Sequence, residues 1–291
     1  DENGAWLPEK ERANAEEAAQ NLSVLAYIGP FNSGAAKVSM PILNYAGVAQ
    51  ISPGNTWPGL TKVGFTPGEP AIFYPTGVRH YVRVSPTDDL QGPAGALWAK
   101  ELGISHIYIV DDGEAYGAGI AALFRAEAKR LGLDVLGERS LKGGSSEISE
   151  IIAELENLKP DLVYYGGITP NGGPELLKGM REAGVMSTFM GPDGIFETDF
   201  IERAGAAAEG VYVTTIGVSP KEIKTPAAEK FYQDYGERFE SEPDVFAAFG
   251  YEAANVVLLA IKNAPDVNRR EVLETLRSIR DFSGIFGTWS F

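Results

Sequence analysis

Four short segments of this 291-residue chain place a polar or aromatic side chain directly after an apolar run. In the first, GPFNSG, Ser33 stands where a helical pattern begins. Its hydroxyl and the N–H groups of a helix N-terminus are donors that could receive an anion. The glycines of a dinucleotide loop and the lysine of a nucleoside triphosphate loop are missing, which favours a carboxylate over a phosphate. The plainer interpretation is that Ser33 only caps its own helix.

The other three segments offer further groups, each with a plainer alternative. In ISPGNTWPG, Asn55 and Thr56 supply an amide and a hydroxyl at the end of an apolar run, or they form an ordinary turn. In IVDDGEAYGAG, Tyr116 precedes a helix, and its ring either faces a cleft or packs on its own lobe. In FMGPDG, Asp193 could pair with a ligand ammonium, or it could serve only as a turn residue.

The elements that position these segments alternate between short apolar strands and amphipathic helices, as in parallel α/β sheets. We predict strands at 24–28, 48–52, 106–111, 134–139, 161–165, 188–190 and 210–215. We predict helices at 8–22, 33–45, 91–102, 117–131, 147–158 and 174–183. Three helical segments follow residue 226, and a short strand ends the chain. This order predicts an α/β protein of two doubly wound, Rossmann-like lobes, with a ligand bound in the cleft between them.

Composition narrows the classes of function. The formal net charge is −15, from 40 acidic and 25 basic residues, which disfavours nucleic acid and anionic membranes as partners. The chain has no cysteine, and its two histidines, His80 and His106, lack the spacing of metal ligands. We therefore expect no metal, no cofactor and no catalysis. No apolar stretch approaches the roughly 18 residues of a membrane span.

Taken in order, the motifs resemble a known family. They are AYIGPFNSG, ISPGNTWPGLT, DDLQGP, IYIVDDGEAYGAG, DLVYYGG, FMGPDG and GIFGTWSF. The chain is similar to the type I periplasmic solute-binding proteins of the leucine/isoleucine/valine class, which serve ABC transporters. The resemblance implies two α/β lobes joined by three crossing segments, which close on an amino acid by a hinge movement. It also implies a periplasmic or cell-surface location and an ABC permease in the membrane as partner.

The resemblance also implies roles for individual residues. Ser33, with the helix N-terminus, and Thr56 would receive the ligand carboxylate. The carbonyl of Gly54 and the carboxylate of Asp193 would receive the ammonium, and Tyr116 would cover the ligand. Residues expected to shape the pocket for the ligand side chain are Phe31, Asn32, Asn55, Trp57, Ile168 and Phe246.

Departures from the family leave alternatives open. Ile168 stands where the family often has a tyrosine, so the ligand could instead be an amide, urea or an aromatic acid, or the protein could be a ligand sensor. An enzyme acting on a nucleotide or sugar is a more distant alternative. The loop 64–77 is longer than the family's common form and has no predicted role. We expect 1–85 with 218–281 to form one lobe, lacking the family's first strand, helix and strand, and 86–217 with 282–291 to form the other.

Overall fold

The computed structural model describes residues 5–142 and 145–291. Helices occupy α1 Pro8–Gln20, α2 Ser33–Tyr45, α3 Asp88–Glu101, α4 Ala115–Arg130, α5 Ser145–Leu158, α6 Gly173–Glu182, α7 Thr198–Ala204, α8 Pro226–Phe239, α9 Val245–Asn263 and α10 Arg269–Ser278. Strands occupy β1 Ala26–Ile28, β2 Ala49–Ser52, β3 Tyr81–Arg83, β4 His106–Asp111, β5 Asp134–Ser140, β6 Leu162–Gly166, β7 Thr188–Gly191, β8 Tyr212–Val213, β9 Phe282–Gly284 and β10 Gly287–Trp289. The predicted bounds of α2 and β4 are those of the structure.

The chain forms two compact units. The central unit contains Thr87–Ile216 and also Ala5, which was predicted in the other lobe, and the split unit is Trp6–Pro86 together with Gly217–Phe291. The assignment of 282–291 to the lobe containing 86–217 was wrong, because these residues belong to the split unit. There the buried carboxylate of Glu252 in α9 accepts hydrogen bonds from the Ile285 N–H (3.0 Å) and the indole N–H of Trp289 (2.9 Å). Residues 1–4 of the predicted first lobe lie outside the described residues.

The central unit is built on a five-stranded parallel sheet with the order β5-β4-β6-β7-β8. Successive side chains of a strand point to opposite faces, and β4 therefore contributes to two cores. Ile107 and Ile109 pack with Phe124 of α4 in one core, whereas Tyr108 packs with Leu177 of α6 in the other. Both faces of the sheet are covered by helices, which is the predicted doubly wound arrangement.

The split unit contains a three-stranded parallel sheet with the order β1-β2-β3. The ends of β1 and β2 lie side by side, since Ile28 is in register with Ile51. Ile51 packs with Val256 of α9 and Leu276 of α10 in one core. A second core joins α1, α2 and Val48, which precedes β2. This sheet therefore also carries helices on both faces.

Helix α9 corrects the expectation about membrane spans. Its 19 residues are long and apolar enough, by length and composition alone, to cross a bilayer. In the structure, Ala253, Val256 and Ala260 of this helix pack in the core of the split unit. The fully buried Glu252 also lies on this helix and binds the β9–β10 segment. The apolar character of α9 thus serves the core.

Three elements differ from the predicted pattern. Strand β3 was not predicted, because it has only three residues. Helix α7 was not predicted, because its seven residues are too few to show a helical period. The predicted last strand is instead an antiparallel pair, β9 and β10, with Gly287 at a positive φ of 98° beside the turn.

Candidate functional site

The split unit presents a group of donors where α2 begins. Asn32, and not Ser33, occupies the N-cap position, and its side chain makes no capping hydrogen bond. Ser33 is therefore the first residue of the helix, and its buried hydroxyl accepts a hydrogen bond from the Trp57 N–H (3.2 Å). The first N–H groups of a helix have no partner within that helix, and they carry partial positive charge. This end of α2 therefore suits an anion.

Thr56 lies beside this helix end, because the next residue, Trp57, donates to Ser33. The Thr56 side chain is 1% exposed, and its hydroxyl has no hydrogen-bond partner within residues 5–142 and 145–291. Buried polar groups nearly always have a hydrogen-bond partner, so a buried hydroxyl without one in the protein is suited to bond a ligand. The structure thus brings together Ser33, Thr56 and the α2 N-terminus, the three groups predicted to receive a carboxylate.

Asn55 holds this region in place. Its amide nitrogen donates to the carbonyls of Pro30 (3.0 Å) and Phe31 (2.7 Å), and its oxygen accepts from the Tyr81 hydroxyl (2.9 Å). These bonds use the two donors and one lone pair of the amide. Asn55, predicted to shape the ligand pocket, is fully buried and ties the turn after β1 to the segment after β2.

An aromatic pair lies next to Gly54. The rings of Phe31 and Phe246 meet edge to face at 4.9 Å, and the Phe31 side chain is 46% exposed. A Cβ atom on Gly54 would lie 2.7 Å from the Phe31 ring, so a glycine is needed for this close approach. Asn32 and Phe246 are half-buried. The predicted role of the Gly54 carbonyl stays a prediction.

The central unit carries a buried acidic group. The Tyr116 hydroxyl donates to Asp193 Oδ1 (2.6 Å) and accepts from the Gly194 N–H (3.1 Å). Asp193 lies just after β7 and is 4% exposed. Burial raises the pKa of its carboxyl to about 6, while hydrogen bonds from Tyr116 and Gln91 act in the opposite direction. At neutral pH, Asp193 is therefore a desolvated anion, which a cation would stabilise.

Two more polar side chains of this group come from α3, and neither was predicted to have a role. Asp88 is fully buried in the first turn of α3. Burial raises the pKa of Tyr116 well above its ordinary value, and the charges of Asp193 and Asp88 add to that rise. Gln91 donates to the carbonyl (3.1 Å) and hydroxyl (3.2 Å) of Thr214, and its own carbonyl oxygen has no partner in the described part of the chain. The motif DDLQGP contains both α3 residues, but sequence spacing could not place Asp88 near Tyr116 or Gln91 near Asp193.

Ile168 contributes an apolar surface to the same unit. It packs with Tyr116 and Ile120 in a small buried cluster. Its backbone is held by the unit itself: the Ile168 N–H donates to Asp112 (3.2 Å), and its carbonyl accepts from the Tyr165 hydroxyl (3.2 Å). Ile168 therefore gives this cluster an apolar surface, whereas the tyrosine that the family often has at this position would add a hydroxyl.

Neither histidine points to metal chemistry. Burial lowers the pKa of His80 to about 4, and its ring accepts a hydrogen bond from the Asn44 side chain (2.9 Å). His106 is exposed, and its Nδ1 lies 3.3 Å from Asp161 Oδ2. Within residues 5–142 and 145–291, no cluster of three or more potential side-chain ligands could hold a metal ion.

Comparison with known proteins identifies the family of this chain. The model of the periplasmic binding protein family matches residues 1–291. The chain belongs to this family. Its members are solute-binding receptors rather than a class of enzymes. The resemblance drawn from the motifs is therefore confirmed.

Individual relatives agree with this assignment. The chain is 27% identical over 266 residues to Leu/Ile/Val-binding protein homolog 1 of Brucella abortus, covering 91% of this chain and 67% of that protein. It is 27% identical over 260 residues to the leucine-, isoleucine-, valine-, threonine- and alanine-binding protein of Pseudomonas aeruginosa, covering 89% and 65%. The chain thus spans about two thirds of the length of these relatives.

A solved structure confirms the predicted fold. The crystal structure of a leucine-binding protein from Thermotoga maritima matches with a TM-score of 0.85 and 27% identity. The match covers 98% of this chain and 77% of the Thermotoga chain. The fold is that of the type I periplasmic binding proteins, as predicted.

Proposed function

We propose that this protein is the substrate-binding component of an ABC importer and that it binds a zwitterionic amino acid. The observation that carries the proposal is the opposite polarity of the two sites. The split unit offers donors, including the buried and unpartnered Thr56 hydroxyl. The central unit offers the buried carboxylate of Asp193. An amino acid carries a matching group for each: a carboxylate that suits Ser33 and Thr56, and an ammonium that suits Asp193.

The mechanism follows from the chemistry of the two ends. A ligand shifts a conformational equilibrium only through contacts that differ between the two states. A ligand whose carboxylate binds one unit and whose ammonium binds the other gains its full set of contacts only when both units engage it. Tyr116 holds Asp193 in place through a 2.6 Å hydrogen bond, so the acceptor is positioned before the ligand arrives.

The residues near the sites favour an apolar side chain on the ligand. Ile168 presents hydrocarbon on the central unit, and its backbone groups are already bonded within that unit. Phe31 and Phe246 form an aromatic pair on the split unit. The names of the Brucella and Pseudomonas relatives both refer to leucine, isoleucine and valine, which have such side chains, and the Pseudomonas name adds threonine and alanine. We therefore assign aliphatic amino acids as the ligand class.

The remaining parts of the proposal rest on the family. We propose that the protein acts in the periplasm or at the cell surface and delivers its ligand to an ABC permease in the membrane. A permease distinguishes the closed, ligand-bound receptor from the open one, so closure would couple binding to transport.

Isothermal titration calorimetry tests the proposal. The probes are L-leucine, L-isoleucine and L-valine, with leucinamide lacking the carboxylate, 4-methylpentanoate lacking the ammonium, and benzoate as an aromatic acid. We expect binding of an aliphatic amino acid and much weaker binding of the three incomplete probes. Asp193→Asn should weaken amino-acid binding by about tenfold or more, since breaking a buried charge pair costs about 2–5 kcal/mol.

A matched variant serves as control. Glu237 is exposed on α8, and Glu237→Gln removes a surface charge at a residue that has no assigned role in either site. It should bind leucine like the wild type. Preferential binding of benzoate, or an Asp193→Asn variant with unchanged leucine affinity, would contradict the proposed amino-acid site.

A further inference from the structure

The long loop 64–77 carries one buried acidic residue. Glu69 is 7% exposed, and its Oε2 accepts a hydrogen bond from the indole N–H of Trp57 (2.8 Å). Its Oε1 lies 2.7 Å from the ammonium of Lys37. The Lys37 ammonium also lies 5.3 Å from the centre of the Trp57 ring. We call these three residues, Glu69, Trp57 and Lys37, the Glu69 clamp.

The clamp is attached to both elements that present the carboxylate donors. Trp57 directly follows Thr56, and its backbone N–H donates to Ser33. Lys37 lies four residues after Ser33 in α2, a spacing that places both side chains on one face of the helix. Through its two oxygens, Glu69 therefore connects the first turns of α2 to the Thr56–Trp57 segment.

The surroundings of the clamp leave it little freedom. A Cβ atom on Gly59 would lie 2.0 Å from Glu69 Oε2 and 2.5 Å from the Trp57 indole nitrogen. The backbone of Gly59 thus packs directly against the hydrogen bond between these two side chains. The Trp57 carbonyl accepts a hydrogen bond from Arg83 (2.8 Å). Trp57 is therefore held by three hydrogen bonds: from its backbone N–H, its indole N–H and its carbonyl. A buried and fully bonded carboxylate is suited to hold neighbouring groups in one geometry.

We propose that Glu69 is a positioning residue for the ligand carboxylate: it fixes the distance between Ser33 of α2 and Thr56 by binding Lys37 and Trp57 at once. This inference rests on the proposed function, because it is defined by the carboxylate of the ligand. It gives the long loop a role in affinity. Glu69 itself touches no ligand and acts through Trp57 and Lys37.

The test compares two probes on matched variants. L-Leucine and L-leucinamide share the side chain and the ammonium, and they differ in the carboxylate that the clamp is proposed to position. Glu69→Ala should weaken leucine binding about tenfold, equivalent to about 1.4 kcal/mol, and leucinamide binding less than twofold. Glu69→Gln keeps an acceptor for the indole and loses the ion pair, so its effect on leucine should be about threefold. Glu237→Gln is the control and should leave both dissociation constants unchanged.

Gly59→Ala perturbs the same contact without changing either partner. The added methyl group would displace the Glu69 carboxylate from the indole, so this variant should also lower the preference for leucine over leucinamide. A role of Glu69 in stability alone would weaken the two probes equally. An unchanged ratio of the two dissociation constants in Glu69→Ala and Gly59→Ala, with the wild type binding leucine, overturns the positioning role and leaves the proposed function standing.

A ligand-free measurement separates the remaining outcomes. The indole N–H of Trp57, assigned by its loss in Trp57→Phe, should shift in the ¹⁵N–¹H NMR spectrum of Glu69→Gln and stay in place in Glu237→Gln. An indole signal that does not respond to Glu69→Gln overturns the clamp itself. A wild-type protein that binds neither leucine nor leucinamide contradicts the proposed function, and the positioning role falls with it.

Discussion

The substitution Asp193→Asn should make the ligand-free protein more stable at neutral pH while it weakens ligand binding. Burial raises the pKa of this carboxyl from 3.8 to about 6, a shift of roughly two units. Each unit corresponds to about 1.36 kcal/mol, so keeping Asp193 ionised at pH 7 costs on the order of 3 kcal/mol. Asparagine removes the charge and can still accept the hydrogen bond from Tyr116. We expect a gain of about 2 kcal/mol, since the new amide must also find an acceptor.

The gain should depend on pH in a defined direction. Because the pKa of Asp193 is higher in the folded state, the folded protein binds more protons than the unfolded chain between about pH 6 and pH 4. The wild type therefore gains stability relative to the variant as the pH falls through 6, and the difference should vanish near pH 4. Tyr116 of α4 and Gln91 of α3 face Asp193, and the charge of Asp88 acts on Tyr116. Burial also raises the pKa of Asp112 to about 6. Asp112 is present in both proteins, so its contribution to the pH dependence cancels in the comparison.

Urea-induced unfolding of the ligand-free proteins at pH 7 and pH 4.5, followed by circular dichroism, measures this difference. Asp134→Asn is the matched control, because Asp134 is exposed at the start of β5 in the same unit. The control should change stability by less than about 0.5 kcal/mol. An Asp193→Asn variant that is less stable than the wild type at pH 7, or a gain that is equally large at pH 4.5, would refute the reasoning.

Three further substitutions test contacts within the split unit. Asn55→Ala removes three buried hydrogen bonds and should lower the free energy of unfolding by about 2–4 kcal/mol, measured by urea unfolding. Arg269→Met leaves five backbone carbonyls without their guanidinium donor and should lower the free energy of unfolding by about 2–3 kcal/mol in the same assay. Arg270 is exposed, so Arg270→Met should lower it by less than about 0.5 kcal/mol. Glu252→Ala releases the Ile285 N–H and the Trp289 indole, so hydrogen exchange in 282–289 should accelerate by about tenfold or more.

The local pattern of the sequence was sufficient for most elements of the fold. The predicted bounds of α2 and β4 match the structure, because apolar residues recur at the helical period in one and run continuously through a buried strand in the other. The order of strands and helices was also sufficient for the doubly wound fold. Helix α7 was missed because seven residues carry too little periodicity. Placement of the last ten residues failed for a different reason, since it depends on the distant Glu252.

The candidate site divides in the same way. Ser33, Thr56, Tyr116 and Asp193 could be proposed as candidates from the sequence, because each follows an apolar run at the end of a strand or the start of a helix. Their chemistry as donors and acceptors follows from residue type alone. The sequence did not show that Asp193 is an anion bonded to Tyr116, or that its pKa is raised. Its desolvation depends on the packing of α3, α4 and β7 around it.

The sequence by itself determined which groups are available, and only the tertiary structure decided which of them act together. Glu69 appeared as one charge in a loop without a predicted role. In the fold, it binds Trp57 twelve residues earlier and Lys37 on a separate helix. Such contacts depend on the directions of side chains and the distances between elements, which the periodicity of a sequence does not specify. Burial then sets their strength, because charges and hydrogen bonds act more strongly once water is excluded.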